Sequence, residues 1–209
     1  MDKLVITIAR GYGSGGLTLG RKLGEKLNLP VYDREIVRIA SEQSGISEDL
    51  FGRADEHCLK LLPKVGKKGK YTGIPLGPDK GDFTSPDNLF ELQAEVIRSI
   101  ANFESCIIIG RAADYILKDK KGVISLYFSA SEEDCIVRLR KQVSGTDEEL
   151  VKRMHTIDKQ RAAFYKYYTG NEWDDVHNYD LCLDTSTMSY EKLIEVVVNF
   201  INSVRNEDL

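Results

Sequence analysis

The chain has 209 residues, 42% of them hydrophobic and 30% charged, with a formal net charge of −4 and a pI near 5.5. That length suits one domain with a sizeable core and is short for two. The composition excludes a disordered or collagen-like chain, and the acidic balance excludes a general nucleic-acid surface built on Lys and Arg, so any anion recognition has to be local.

Apolar stretches such as Leu4–Ala9 and Cys106–Ile109 are far too short to cross a bilayer. Met1-Asp2-Lys3 leads straight into a β-branched run with no signal-type apolar region, so the expectation is a cytoplasmic protein with no membrane partner. Cys58, Cys106, Cys135 and Cys182 stand far apart with no C-x-x-C pair and no zinc spacing, which predicts reduced, structural thiols.

In chain order, Leu4–Ala9 reads as a strand, followed at once by a glycine-rich turn. Leu19, Leu23 and Leu27 then recur at helical spacing, with Asn28 to Pro30 ending the helix. Val31-Tyr32 is a short strand leading to Asp33, an expected N-cap for a helix through Ile36, Val37, Ile39 and Ala40, and another helix should start near Ser47. From Pro63 to Asn88 the chain is rich in Gly, Pro, Lys and Asp, which reads as a mobile excursion that orders on ligand binding.

Ser85-Pro86-Asp87 marks the next helix start, and Leu89, Leu92, Val96, Ile100 and Phe103 form an apolar stripe. A core helix is the expected reading; pairing with a second copy of the chain is the alternative. Cys106–Ile109 and Val123–Phe128 read as buried strands, residues 131–168 as charged helix, Tyr179–Leu183 as a last strand, and a terminal helix starts near Ser189. This alternation predicts a doubly wound α/β fold with about five parallel strands and helices on both faces.

Gly11-Tyr12-Gly13-Ser14-Gly15-Gly16-Leu17-Thr18 matches the phosphate-loop pattern G-x-x-x-x-G-K-[ST] at every fixed position except the lysine, which is Leu17. Glycines let the backbone curl so that several N–H groups face phosphate oxygens, and the helix N-terminus adds its positive end. A plain glycine turn or a dinucleotide loop shares part of the pattern, but a first strand before the loop and a helix after it favour phosphate. Thr18 stands where a hydroxyl meets Mg²⁺. Leu17 supplies no cation, so Arg10, at the strand end, and Arg21, one turn beyond Leu17, are the candidate replacements.

With Gly110-Arg111-Ala112-Ala113-Asp114-Tyr115-Ile116-Leu117, Asp158-Lys159-Gln160-Arg161, Tyr167-Tyr168-Thr169-Gly170, Asn178-Tyr179-Asp180-Leu181 and Leu183-Asp184-Thr185-Ser186 added, the chain resembles the cytidylate-kinase-like family over nearly its whole length. The resemblance implies a single P-loop NTPase domain of the nucleoside-monophosphate-kinase type over residues 1–209. It would carry a mobile acceptor-binding insertion over 34–105 and a helical lid over about 144–170. Some positions depart from the family: Ala112 stands where cytidylate kinase has Asp, Asp33-Arg34-Glu35 where it has Asp-Ser-Gly, and Leu17 where near relatives carry Arg.

The expected activity is ATP- and Mg²⁺-dependent phosphoryl transfer to a nucleoside monophosphate, with CMP or dCMP as first guess. Arg10, Asp33, Arg153 and Arg161 are the candidate catalytic residues. Gly11, Gly13, Ser14, Gly15, Gly16, Leu17, Thr18 and Arg21 are expected to hold the nucleotide phosphates. Arg34 and Arg38, on one helix face, with Arg111 and Asp158, are expected at the acceptor. Two alternatives stay open: a kinase of another small metabolite, and a nucleotide-binding regulatory protein that Leu17 has deprived of transferase activity.

Overall fold

The computed structural model describes residues 3–61 and 69–207. Its centre is a five-stranded, wholly parallel sheet of Val5–Arg10 (β1), Val31–Tyr32 (β2), Cys106–Ile109 (β3), Val123–Ser129 (β4) and Leu181–Asp184 (β5), in the order β2-β3-β1-β4-β5. The helices are Gly16–Leu27 (α1), Glu35–Ser44 (α2), Glu48–Leu61 (α3), Pro86–Phe103 (α4), Ala113–Ile116 (α5), Glu132–Leu139 (α6), Asp147–Thr169 (α7) and Tyr190–Glu207 (α8).

β1 and β3 are buried on both faces, and side-chain alternation explains how. Ile6, Ile8, Ile107 and Ile109 pack with Leu19 and Leu23 of α1 and Leu193, Val197 and Ile201 of α8. Val5, Cys106 and Ile108 face the other way, into a cluster with α2, α3, α4, α5 and the end of α7. The fold is therefore the expected doubly wound α/β arrangement, with a helix layer on each face. Because all strands run one way, the turns after β1, β2 and β3 gather at one edge, where open α/β sheets bind ligands.

Helix ends follow local chemistry. Asn28 ends α1 in the left-handed region at φ 52°. Ser85 caps α4, its hydroxyl accepting from Asn88 N–H, with Pro86 in the first turn. Thr146 and Glu149 form a reciprocal capping box that starts α7. Asp33 does not cap α2 as expected: Arg34 is the cap residue, without a side-chain bond, and Asp33 N–H donates to Glu35 Oε2 at 2.9 Å. The Asp33 carboxylate is thereby left to face Arg10.

One further expectation changes. The stripe on α4 is mostly core, but Phe103, at the helix end, is 80% exposed. The excursion expected to be mobile lies partly outside the described residues, at 63–68, and its remainder is hydrogen-bonded to its neighbours. Lys70 and Tyr71 N–H groups donate to the Tyr167 and Tyr168 carbonyls, each at 3.0 Å, which supplies partners to the last turn of α7.

Two buried polar side chains of α4 complete the anchoring. The Glu91 carboxylate accepts from Thr72 N–H, Thr72 Oγ1 and Gly73 N–H, and Asn88 bonds Leu76 twice and the Phe83 carbonyl once. The segment has little apolar surface of its own; its order comes from a neighbouring helix. Cys58, Cys106 and Cys135 are buried free thiols as expected, and burial pushes Cys58 and Cys106 up to about 12; Cys182, on the edge strand β5, is only half-buried.

Asp114 of α5 accepts a hydrogen bond from Tyr165 Oη at 2.5 Å, yet burial raises its carboxyl from the ordinary 3.8 to about 6. A carboxyl raised in the folded state binds its proton more tightly folded than unfolded. Its contribution is therefore complete below about pH 4 and is lost as pH rises through about 6. The expected result is that Asp114→Asn flattens the pH dependence of the urea midpoint between pH 4 and 6.5, by on the order of 2 kcal/mol across the window. A variant whose slope matches the wild type there would refute the assignment.

Candidate active site

The turn after β1 is a curled glycine loop. Gly11 N–H bonds the Phe128 carbonyl at 3.0 Å, which ties the loop start to β4. Gly13 and Gly15 take φ of 82° and 79°, left-handed values that favour glycine. Gly16 has no room for a side chain, since a Cβ would stand 2.6 Å from Arg10 Cβ. The buried Ser14 hydroxyl accepts from Gly16 N–H at 3.3 Å.

Leu17 and Thr18 lie in the first turn of α1, where N–H groups have no carbonyl one turn back to bond. With Arg10, Gly13, Gly15 and Gly16 they line a cavity of 150 Å³, to which Arg138, Gln142, Arg161 and Tyr190 also contribute. Donor-rich backbone, a helix N-terminus and the Arg10 and Arg161 guanidinium groups are features that suit an anion of phosphate type.

Leu17 itself is half-buried against the core of the α1 and α8 side. Arg10 and Arg161 bring guanidinium groups to the same cavity. Arg10 Nη2 lies 3.5 Å from Asp33 Oδ1. Burial, reinforced by repulsion from Arg161 and Arg111, pulls the Arg10 guanidinium down to about 10, so it is cationic at neutral pH and crowded by like charge. Arg161 donates to the Arg10 carbonyl at 3.0 Å and to Asp158 Oδ1 at 3.1 Å. Asp158 also accepts from Tyr12 N–H at 2.8 Å, so α7 is fastened directly to the loop. Burial raises Asp158 and lowers Arg161, each opposed by the other's charge.

A second, open pocket of 540 Å³ lies beside the first, lined by Arg34, Val37, Glu48, Asp49, Gly52, Arg53 and Arg111. Arg111 follows β3 in a run of left-handed residues, Gly110 at 78°, Arg111 at 59° and Ala112 at 51°, and pairs with Asp55 of α3. That backbone turns the Arg111 guanidinium toward α3 and away from the sheet core. Arg10 of the loop cavity stands against Gly110, the residue before Arg111, so its guanidinium is repelled by a charge that lines the open pocket.

The expected residues divide accordingly. Arg10, Gly11, Gly13, Gly15, Gly16, Leu17, Thr18 and Arg161 line the loop cavity, Ser14 lies beneath it, and Asp33 is held at its side by Arg10. Arg34 and Arg111 line the open pocket.

Other placements differ from expectation. Arg21 is exposed on α1 and does not line the cavity. Arg38, expected beside Arg34 at an acceptor, turns along its helix to Glu42 at 2.7 Å. Arg153 is exposed, about 12 Å along α7 from Arg161, and lines an outer groove with Ser144, Glu149 and Lys152. Asp158, expected at the acceptor, does not line the open pocket and instead accepts from Tyr12 N–H of the glycine loop.

Sequence reasoning missed Arg138, Tyr190, Arg53 and Asp49. None of them belongs to a local motif. Only the Thr185-Ser186 pair before α8 hinted that this turn approaches the loop: the Thr185 hydroxyl donates to the Ser14 carbonyl at 2.5 Å.

The sequence profile of the Cytidylate kinase-like family matches residues 5–187. The chain is similar to a cytidylate kinase of Methanopyrus kandleri, 23% identical over 195 residues, which span 93% of this chain and 91% of that one. An uncharacterized protein from Eubacterium ventriosum has a similar structure, with a TM-score of 0.71 at 22% identity over 96% of this chain and 99% of its own. The fold is also that of shikimate kinase from Bacteroides thetaiotaomicron, at a TM-score of 0.54 and 15% identity over 95% and 98% of the two chains. With the glycine loop after β1, the parallel sheet and a profile match over most of its length, the chain belongs to the cytidylate-kinase-like family.

Proposed function

We propose that the protein is an ATP- and Mg²⁺-dependent kinase of a small phosphorylated acceptor, with a nucleoside monophosphate as the substrate class and CMP or dCMP as the first to test. The observation that carries this reading is a glycine-loop cavity lined by Arg10 and Arg161 together with an open pocket lined by Arg34, Arg53 and Arg111, with Arg10 standing against the Gly110-Arg111 turn.

The loop amides and the start of α1 would hold donor phosphates, and Arg10 and Arg161 would face the charge that spreads over the transferring group. Arg34, Arg53 and Arg111 would hold the acceptor's own phosphate. Asp158 and Arg161, by fastening α7 to the loop, help to exclude water from the donor side. Among the described residues no group of three His, Cys, Asp or Glu side chains could hold a metal. Thr18, whose hydroxyl lies at the start of α1 in the loop cavity, would be the residue to hold Mg²⁺ beside the phosphates, and the ion would supply neutralisation of their charge.

A second reading, a kinase of a hydroxyl-bearing metabolite, is favoured by Glu48 and Asp49 in the open pocket, which can accept hydrogen bonds from hydroxyl groups. A phosphate acceptor arrives already ionised, whereas a hydroxyl acceptor must lose a proton, and on this reading Asp33, beside Arg10, would take it.

An assay of ADP release across nucleoside monophosphates and hydroxyl-bearing metabolites, with and without Mg²⁺, separates the readings. Turnover on CMP or dCMP that Asp33→Asn lowers only modestly is the expected result. Turnover confined to a hydroxyl acceptor and abolished by Asp33→Asn would favour the second reading, and no ADP release with any acceptor would sink both.

A further inference from the structure

The phosphate loop is gripped from outside at one peptide. Arg138 of α6 donates through Nη1 to the Ser14 carbonyl at 2.8 Å and to Thr185 Oγ1 at 2.9 Å, and through Nη2 to the Thr185 carbonyl at 2.9 Å. The Thr185 hydroxyl donates to the same Ser14 carbonyl at 2.5 Å. Ser14 and Thr185 are both buried, at 0% and 2% exposure, so water does not replace these bonds. In a trans peptide the C=O and the next N–H point in opposite directions, and there are no cis bonds in the described chain. Holding the Ser14 carbonyl toward Arg138 and Thr185 therefore turns Gly15 N–H the other way.

Gly15, at φ 79°, has the conformational freedom to let that peptide rotate, and nothing in its own residue resists it. The grip must come from outside. Tyr190 contributes by position: its hydroxyl stands where a Gly15 Cβ would be, and its ring lies 5.8 Å from the Arg138 guanidinium.

We propose that Arg138 and Thr185 are positioning residues for the donor site, which lock the Ser14–Gly15 peptide so that Gly15 N–H is presented to a nucleotide phosphate. The proposal rests on the kinase reading and assigns the turn after β5 a task in it. An amide already aimed at the phosphate loses no rotational freedom on binding, and this compensates in part for the absent lysine at position 17. Arg138 is fitted for the task by its fork, since its hydrogen bonds here go to two carbonyls and a hydroxyl, a set that one ammonium group on a flexible stem does not reproduce.

The test uses the whole chain and MgADP binding by calorimetry, with the Gly15 amide resonance of the free protein as a second readout. Thr185→Val and Arg138→Lys are each expected to weaken MgADP by about ten-fold, the size of a lost hydrogen bond to a charged group. The double variant should be little worse than either alone, because both groups hold one carbonyl. Thr185→Ser, which keeps the hydroxyl, should restore most of the affinity, and the Gly15 amide shift should move in Thr185→Val and Arg138→Lys but return in Thr185→Ser.

Loss of affinity on Arg138→Met with none on Arg138→Lys or Thr185→Val would mean that Arg138 acts through its charge, and would overturn the clamp. Folded variants with unchanged affinity and an unchanged Gly15 shift would overturn it too. If the wild type binds no MgADP, the kinase reading fails. The clamp then stands or falls on the Gly15 shift and on the same variants' affinity for inorganic phosphate.

Discussion

Arg10→Ala is expected to lower kcat and kcat/KM together by about 10³-fold, the effect of removing an arginine that acts in the transition state of phosphoryl transfer. The argument starts from Leu17, which leaves the loop without its usual cation. Arg10 is the replacement best placed by the structure: it lines the loop cavity, is tethered to Asp33 at 3.5 Å, and is pressed by Arg161 and Arg111 on its other sides. A bound phosphoryl group would relieve that repulsion, and the relief grows as negative charge accumulates on the transferring oxygens.

Arg21→Ala, by contrast, removes an exposed side chain outside the cavity and should change turnover by less than about two-fold. Steady-state kinetics with MgADP affinity measured in parallel decide the matter. Raised KM with unchanged kcat would make Arg10 a binding contact only, and full activity in Arg10→Ala would pass the role to Arg161. Leu17→Lys is the complementary variant. A wild type without transferase activity that gains it on Leu17→Lys would establish the regulatory reading in place of the kinase.

The second large effect is expected from the loop itself: Gly15→Val together with Gly16→Val should abolish MgADP binding, at least about 100-fold, in a chain that still folds. At Gly15 a valine meets both a left-handed backbone, strained by about 1–3 kcal/mol, and the Tyr190 hydroxyl. At Gly16 the new Cβ would stand 2.6 Å from Arg10 Cβ and 3.2 Å from Phe128 Cβ, so it displaces the very arginine assigned above. Gly81→Ala is the control, since nothing lies within 4 Å of a Cβ there and its φ is not left-handed. Calorimetry with circular dichroism on the same samples checks both halves of the expectation. MgADP affinity equal to wild type in the folded double variant would remove the phosphate-loop assignment.

What the sequence determined by itself was local or periodic. Continuous apolar runs placed β1 and β3, because strands covered on both faces have no polar side to show. The glycine pattern between a strand and a helix located the loop, because only a few residues tolerate φ near 80°. Ser85-Pro86 announced α4 through capping chemistry that needs no distant partner.

Tertiary structure decided the rest, and the reason is reach. A guanidinium at the end of a long side chain serves whichever element the fold brings near. Arg138, 124 positions from Ser14, grips the loop, while Arg21, three beyond Thr18, does not line its cavity. Order in residues 69–85 likewise depends on Glu91 and Asn88 of a later helix, which composition within the segment cannot disclose. Asp33 and Asp158 were recognisable as carboxylates near glycine and arginine motifs. Only packing settled that one tethers Arg10 and the other holds Tyr12 N–H, since each partner is supplied by another part of the chain and burial gives the pairing its strength.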